Sequence, residues 1–280
     1  MTYLFNRRVE LKVGKPGDLG KIFSDLRIEF EIEKTKESNA NTGKIAIYNL
    51  NQASRDLLTQ KGAKYEFKAG YFGFGETPLI GVLSSGDVTE VATERKGPDI
   101  VTSFKIGEAI KALGETKIEK SYGEGVSLKS VMGDLGNALG VAKSTIIGAS
   151  NESLSSGYSA SGKVKDRLDE ITKKQGLDWS VQNDELIIIP KGKGKNVEAI
   201  LLSAATGLMK VYKAKKEVEG TDVKIDTYVF ECLLNPKICI AQAVRFESTI
   251  SGININAIVQ KVKYSGDNKD GKFMCQGEAI

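Results

Sequence analysis

Apolar and polar residues alternate with period two over both ends of the chain. A 3.6-residue period takes over in the middle. Near the start, Val9, Leu11 and Val13 share one side of residues 8–13. In 26–33, Leu26, Ile28, Phe30 and Ile32 face inward, which turns Arg27, Glu29, Glu31 and Glu33 outward. The same alternation predicts strands at 44–50, 65–71, 77–84, 87–91 and 99–106. A short helix at 52–60 packs through Ala53, Leu57 and Leu58. The run Phe72-Gly73-Phe74-Gly75 reads as a bent hairpin tip, with base or ligand stacking as its minor alternative.

Between the two β-rich ends, Leu128, Met132, Leu135 and Leu139 are spaced by four, three and four, which predicts a helix over 124–141 capped by Gly140. Val164, Leu168 and Ile171 make a second apolar stripe, with Lys173 and Lys174 in its last turn and Gly176 as its stop. The two helices are about 36 positions apart and share a plan, Met132 aligning with Leu168 and Leu135 with Ile171. They pack together, occupy equivalent places in two subdomains, or resemble each other by chance. The Ser/Gly-rich stretch 150–162 between them is expected to be an exposed linker. After Gly176, strands at 177–181 and 186–189 flank an Asn183-Asp184 tight turn, and Pro190 ends the second strand. Trp179 is placed in the core between this helix and hairpin, in preference to an exposed sugar-stacking platform.

Beyond 195, strands are predicted at 209–214, 222–234, 243–249, 254–265 and 273–279, with a strand or short helix at 197–202. Strand 254–265 is inconsistent in phase. Ile255, Ala257 and Val259 share a parity with Lys261 and Lys263, while Ile258, Val262 and Tyr264 hold the other. The fold class that follows is mainly β with an α+β insert: two β-barrel-like domains flanking small helix–two-strand subdomains. The expected boundaries are 1–110 for an N-terminal barrel-like domain and 111–160 for a helical segment with its linker. An α-β-β subdomain follows at 161–194, then a C-terminal barrel-like domain at 195–280.

Composition narrows the chemistry. Histidine is absent, which removes the commonest general base and metal ligand. Three cysteines, Cys232, Cys239 and Cys275, lack C-x-x-C spacing and read as buried free thiols. Net charge is +4, and Lys191, Lys193 and Lys195 alternate with glycine as a solvated linker would. Glu231 and Asp226 read as outward-facing strand residues. Asp267, Asn268 and Asp270 lack the spacing and terminal glutamate of a calcium loop. Phosphate-binding, dinucleotide and serine-nucleophile motifs are absent, as are a signal peptide and a membrane-spanning run. No catalytic, cofactor-binding or metal-ligating residue is assigned, and no cofactor is implied; the chain is read as a non-enzyme.

Several stretches resemble the baseplate hub proteins of contractile bacteriophage tails, the gp27-like group that includes late control protein D. Residues 28–50, ending in IYNL, resemble the family's opening strand, polar loop and strand, followed by the helix at 52–60. Residues 163–190 resemble its small helix–two-strand insert. Residues 222–236 ending CLLNP, then 241–248, then 252–267 ending VKYSGD, resemble its closing barrel strands. Tyr264-Ser265 stands where many members have histidine before the glycine and aspartate.

The resemblance implies a structural protein of the virion tail baseplate, made in the host cytoplasm. It implies a homotrimer whose two barrel-like domains per subunit form a pseudo-sixfold ring, joining the tail tube protein to the central spike protein. Tape measure protein, other baseplate proteins and transient, non-specific passage of DNA complete the implied partners, with no integral membrane segment. Spike and lytic functions are left to a separate protein. A β-rich peptidoglycan- or carbohydrate-binding tail module is the alternative, and a hydrolase built on clustered acids is a more distant one.

Overall fold

The computed structural model describes residues 6–15, 20–38, 40–73, 78–151, 153–195, 198–217 and 224–280. The N-terminal part holds β1 (Arg7–Gly14), β2 (Lys21–Phe23), β3 (Ile28–Thr35), β4 (Thr42–Tyr48), α1 (Gln52–Thr59), β5 (Lys64–Tyr71), β6 (Leu79–Lys96) and β7 (Asp99–Gly107). The middle holds α2 (Ile110–Glu115), β8 (Lys117–Tyr122), α3 (Leu128–Leu139), β9 (Lys143–Ile146), β10 (Tyr158–Lys163), α4 (Val164–Gln175), β11 (Leu177–Gln182) and β12 (Glu185–Pro190). Then come β13 (Ile200–Ser203), a 3-10 turn, β14 (Leu208–Glu217), β15 (Lys224–Leu233), β16 (Ala243–Ser248), β17 (Ile253–Asp267) and β18 (Phe273–Ala279). The protein is mainly β, with an α+β insert between two strand-rich, barrel-like halves.

One sheet joins the halves, in the order β14-β15-β18-β17-β3-β4-β7-β6-β5-β1-β2, and the seam between them is the antiparallel pair β3–β17. Each half curls on itself. In the first, Phe30 of β3 packs on Phe67 of β5 with ring centroids 4.8 Å apart. In the second, Phe230 of β15 packs on Phe246 of β16 at 5.4 Å. Both halves contribute to a single apolar cluster.

The two halves repeat one topology. The β3–β4 hairpin corresponds to β14–β15, and the unit β5–β6–β7 corresponds to β16–β17–β18. Each unit has one long middle strand that pairs first with the strand before it and then with the strand after it. β6 leaves β5 at Asp87 and continues along β7 to Lys96. β17 leaves β16 at Ile258 and continues along β18 to Gly266. Each long strand breaks register near its change of partner, between Thr89 and Val91 in β6 and between Val259 and Lys261 in β17. Such a bulge admits one extra residue and re-aims the side chains after it. That resolves the phase conflict in the sequence: Ala257 and Val259 point inward before the bulge, Val262 and Tyr264 after it.

The insert has its own core, formed by α3, α4, β11 and β12. The two similar helices therefore pack together in one core. Ser127 caps α3 through the amide of Ser130, and Gly140 and Gly176 end the helices at φ of 74° and 65°, where glycine carries no Cβ penalty. Leu186 and Ile188 of β12 face these helices, whereas Ile187 and Ile189 enter the core of the main sheet. A strand covered on both faces reads as an unbroken apolar run, as LIII does here. Asn183 and Asp184 both take positive φ, 50° and 64°, in the tight turn that the sequence predicts.

Some expectations are corrected. The Ser/Gly-rich stretch is not all exposed linker: Tyr158–Lys163 pairs with Lys117–Tyr122, and Ala160 is fully buried. The segments expected as separate strands, 79–84 of the first and 87–91, form one strand, β6, running through Gly86. Lys195 is not simply solvated; it pairs with Glu185 at 3.1 Å. Parts of several sequence readings, at Phe74 and Gly75, at Thr77, at Val197 and at 222–223, lie outside the described residues.

Candidate functional site

Two features stand out once the chain is folded, a broad charged face on the main sheet and a buried polar junction behind it. The face belongs to the eight-strand run β14-β15-β18-β17-β3-β4-β7-β6. Alternation sends the apolar residues of these strands into the core and the polar ones to the other side. The outward side bears Glu29, Glu31 and Glu33 of β3, as the sequence predicts, with Lys44 and Tyr48 of β4, Lys105 of β7, Lys261 and Lys263 of β17, and Glu278 of β18. A groove follows it, lined by Arg27, Glu29, Glu31, Lys44, Tyr48 and Lys263 among others, so the solvent face is concave at the seam.

Charges on this face are largely cancelled by their neighbours. Lys261 meets Glu33 at 2.6 Å and Lys263 meets Glu31 at 2.8 Å, both diagonally across the seam. Lys216 meets Glu278 at 2.8 Å, Lys105 meets Glu90 at 2.6 Å, and Lys96 meets Glu94 at 3.0 Å. The hydrogen bond to Glu33 raises the Lys261 pKa above its ordinary value. At one end, Arg27 donates to Asp267 at 2.9 Å, stacks over Tyr48 at 4.6 Å and touches Glu29 at 2.9 Å. The Tyr48 hydroxyl donates to Glu29 at 2.6 Å, and that bond pushes its pKa up.

The acidic turn after β17 is committed to structure. Asp267 accepts from Arg27 and from the amides of Lys269 and Asp270; Asn268 bonds the backbone of Ile28 and Leu26. Among the described residues, no group of three or more acids and thiols is placed to hold a metal ion. Asp226 is exposed and paired with Lys213 at 2.7 Å, and Glu231 accepts from Gln276 at 2.8 Å.

The second feature lies where the insert meets the sheet. Lys34 and Glu108 pair at 2.7 Å with side chains 2% and 1% exposed. Glu108 also accepts from Asn41 at 2.7 Å and from Ser84 at 2.9 Å, and Ser84 bonds the hydroxyl of Tyr65 at 2.5 Å. Lys34 donates to Asn183 at the tip of the β11–β12 turn, 2.6 Å away. Asn41 bonds the carbonyl of Val181 and the side chain of Gln182, and Gln182 returns a bond to the carbonyl of Thr35. Lys36 adds an ion pair to Asp178 at 2.8 Å. Sequence reading missed this junction. Its signal was Lys34, which continues the inward parity of Ile28, Phe30 and Ile32.

Trp179 is 4% exposed and its indole N–H donates to Asp169 at 2.8 Å, so it sits in the core with no face open for stacking. Phe72 is 56% exposed. Cys232 and Cys275 are buried directly opposite each other in β15 and β18, and Cys239 is partly buried. No described helix is long and apolar enough to cross a membrane.

Comparison with known proteins agrees with this architecture. A tail protein from Neisseria meningitidis MC58 superposes with a TM-score of 0.68 at 11% identity, over 98% of this chain and 96% of that one. The 43 kDa tail protein of prophage MuSo2 from Shewanella oneidensis gives 0.64 at 12% identity, over 98% of both chains. The E. coli c3393 protein, a type VI secretion component described as similar to the T4 tail proteins gp27 and gp5, gives 0.61 at 10% identity, over 96% and 76%. No curated protein matches in sequence. The family model for baseplate hub gp41 matches residues 8–279, and the chain therefore belongs to that family of phage tail baseplate proteins.

Proposed function

We propose that this protein is the trimeric adaptor of the tail baseplate, joining a sixfold tail tube to a threefold central spike. The carrying observation is the repeated topology. Each chain supplies two equivalent four-strand units, β3-β4-β7-β6 and β14-β15-β18-β17, side by side in one sheet. Three chains then present six equivalent units while keeping threefold symmetry, which is what a contact between sixfold and threefold structures requires.

The open edges support the ring. Among the described residues, β14 pairs only with β15, and β6 beyond Thr89 pairs only with β7. Unpaired strand edges invite further pairing, and head-to-tail contacts that close generate rings. With β14 of one copy against β6 of the next, the concave charged face turns toward the axis and lines a channel. Tape measure protein and then DNA pass along it, in a virion baseplate assembled with other tail proteins. The role is structural, not catalytic. The binding-module alternative loses its platform with the burial of Trp179.

The test is a crosslink. Cysteines placed at Thr93 in β6 and Ala214 in β14 should join copies through a short bis-maleimide and give covalent species that stop at three chains. Absence of inter-chain linkage at these and neighbouring positions of both strands would oppose the arrangement.

A further inference from the structure

The charged outer face of the sheet holds cations at the spacing of a polyanion site, and several of them are held by carboxylates. Lys261 and Lys263 are two apart on β17, so they lie on one face about 6–7 Å from each other, close to the phosphate spacing of a nucleic acid strand. Glu33 and Glu31 reach them at 2.6 and 2.8 Å from the neighbouring strand. On the flank, Glu278 holds Lys216 at 2.8 Å. These pairs are partly exposed; Lys261 and Lys263 keep 38% and 33% of their side chains open. Exposed ion pairs of this kind contribute little to folding stability. Their effect on the local field is larger, because polyanion binding depends on uncompensated positive charge and the release of counterions.

We infer that the carboxylates of Glu31, Glu33 and Glu278 mask a cryptic nucleic-acid backbone site on the charged outer face of the sheet, so that a polyanion in contact with it is not retained. The inference rests on the channel reading for its purpose, but not for its test. The chain's formal charge is +4 with these glutamates counted, so neutralising them adds to an already positive protein. Each lysine also has a carboxylate directly across from it, Glu33 opposite Lys263 and Glu278 opposite Lys261, so neutralising these glutamates leaves both ammonium groups free to meet a phosphate.

The probe is a labelled DNA duplex of about 20 base pairs, titrated with the full chain by fluorescence anisotropy at several salt concentrations. The E31Q/E33Q variant should bind about tenfold or more tighter than the unaltered protein at low salt. Its log–log salt slope should steepen by about two, the value for two added phosphate contacts. E278Q, on another strand, should move affinity the same way with a smaller change. Adding K261Q and K263Q to E31Q/E33Q should abolish the gain. Unchanged affinity in folded E31Q/E33Q and in E278Q would overturn the inference, as would tight binding by the unaltered protein. Failure of the ring would appear instead as a wrong subunit number, which these titrations do not read.

Discussion

Lys34 and Glu108 meet at 2.7 Å in the interior, one at the end of β3 and the other just past β7, where the chain leaves the sheet for the insert. The pair is almost fully desolvated, and both partners have further hydrogen bonds: Glu108 to Asn41 and Ser84, Lys34 to Asn183. A satisfied network of this kind fixes one docking geometry, because any shift leaves a buried charge alone.

Lys34→Met should therefore destabilise the protein by about 3–5 kcal/mol, since it strands the Glu108 carboxylate. Converting both residues to apolar ones, in Lys34→Met/Glu108→Leu, should cost less than the single change. Urea unfolding of the four proteins in a double-mutant cycle checks this. A double variant as unstable as the sum of its singles would mean that the two charges act independently.

Trp179→Ala should lower stability by about 3–5 kcal/mol, the cost of emptying a well-packed aromatic site. It removes the bond to Asp169 as well. The milder Trp179→Phe keeps most of the packing and should cost less. Neither change should alter retention on cell-wall fragments, measured by pull-down with purified peptidoglycan. Retention by the unaltered protein that is lost in Trp179→Phe would reverse this reading.

Stability should be flat across neutral pH and fall on the alkaline side. The chain has no histidine, the side chain that ordinarily titrates there. Burial pushes up the pKa of Tyr65 and Tyr264, and that of Tyr71 to about 12. The neighbouring Cys275 thiol, with burial, raises Cys232. These groups keep their protons longer in the folded state than in the unfolded one. Their contribution is thus complete below the unfolded values, 9.0 for the thiol and 10.0 for the phenols, and is lost as pH rises through the folded ones. Melting temperature followed from pH 6 to 11 should hold level and then decline above about pH 9.

Much of this fold was legible because its strands have a single buried face. Ile28, Phe30 and Ile32, with Glu29, Glu31 and Glu33 opposite, specify both the strand and the side that carries charge. The helix stops at Gly140 and Gly176 and the turn at Asn183 were equally plain, because each is a local backbone requirement. What stayed hidden is non-local. The bulges in β6 and β17 depend on a change of pairing partner, and β10 is built from small polar residues whose partner strand lies 40 positions away. Lys34 broke an apolar parity, but its acceptor, Glu108, is 74 residues off. The concave face was visible as outward charges, whereas their cancellation needed the register of β3 on β17.

Subunit number tests the central claim most directly. Sedimentation equilibrium over a wide concentration range should show monomer of 30.3 kDa passing to a species three times that mass, with no dimer plateau, because a head-to-tail ring is complete only when it closes. A stable dimer, unlimited growth, or a monomer that persists at the highest concentration would contradict the account.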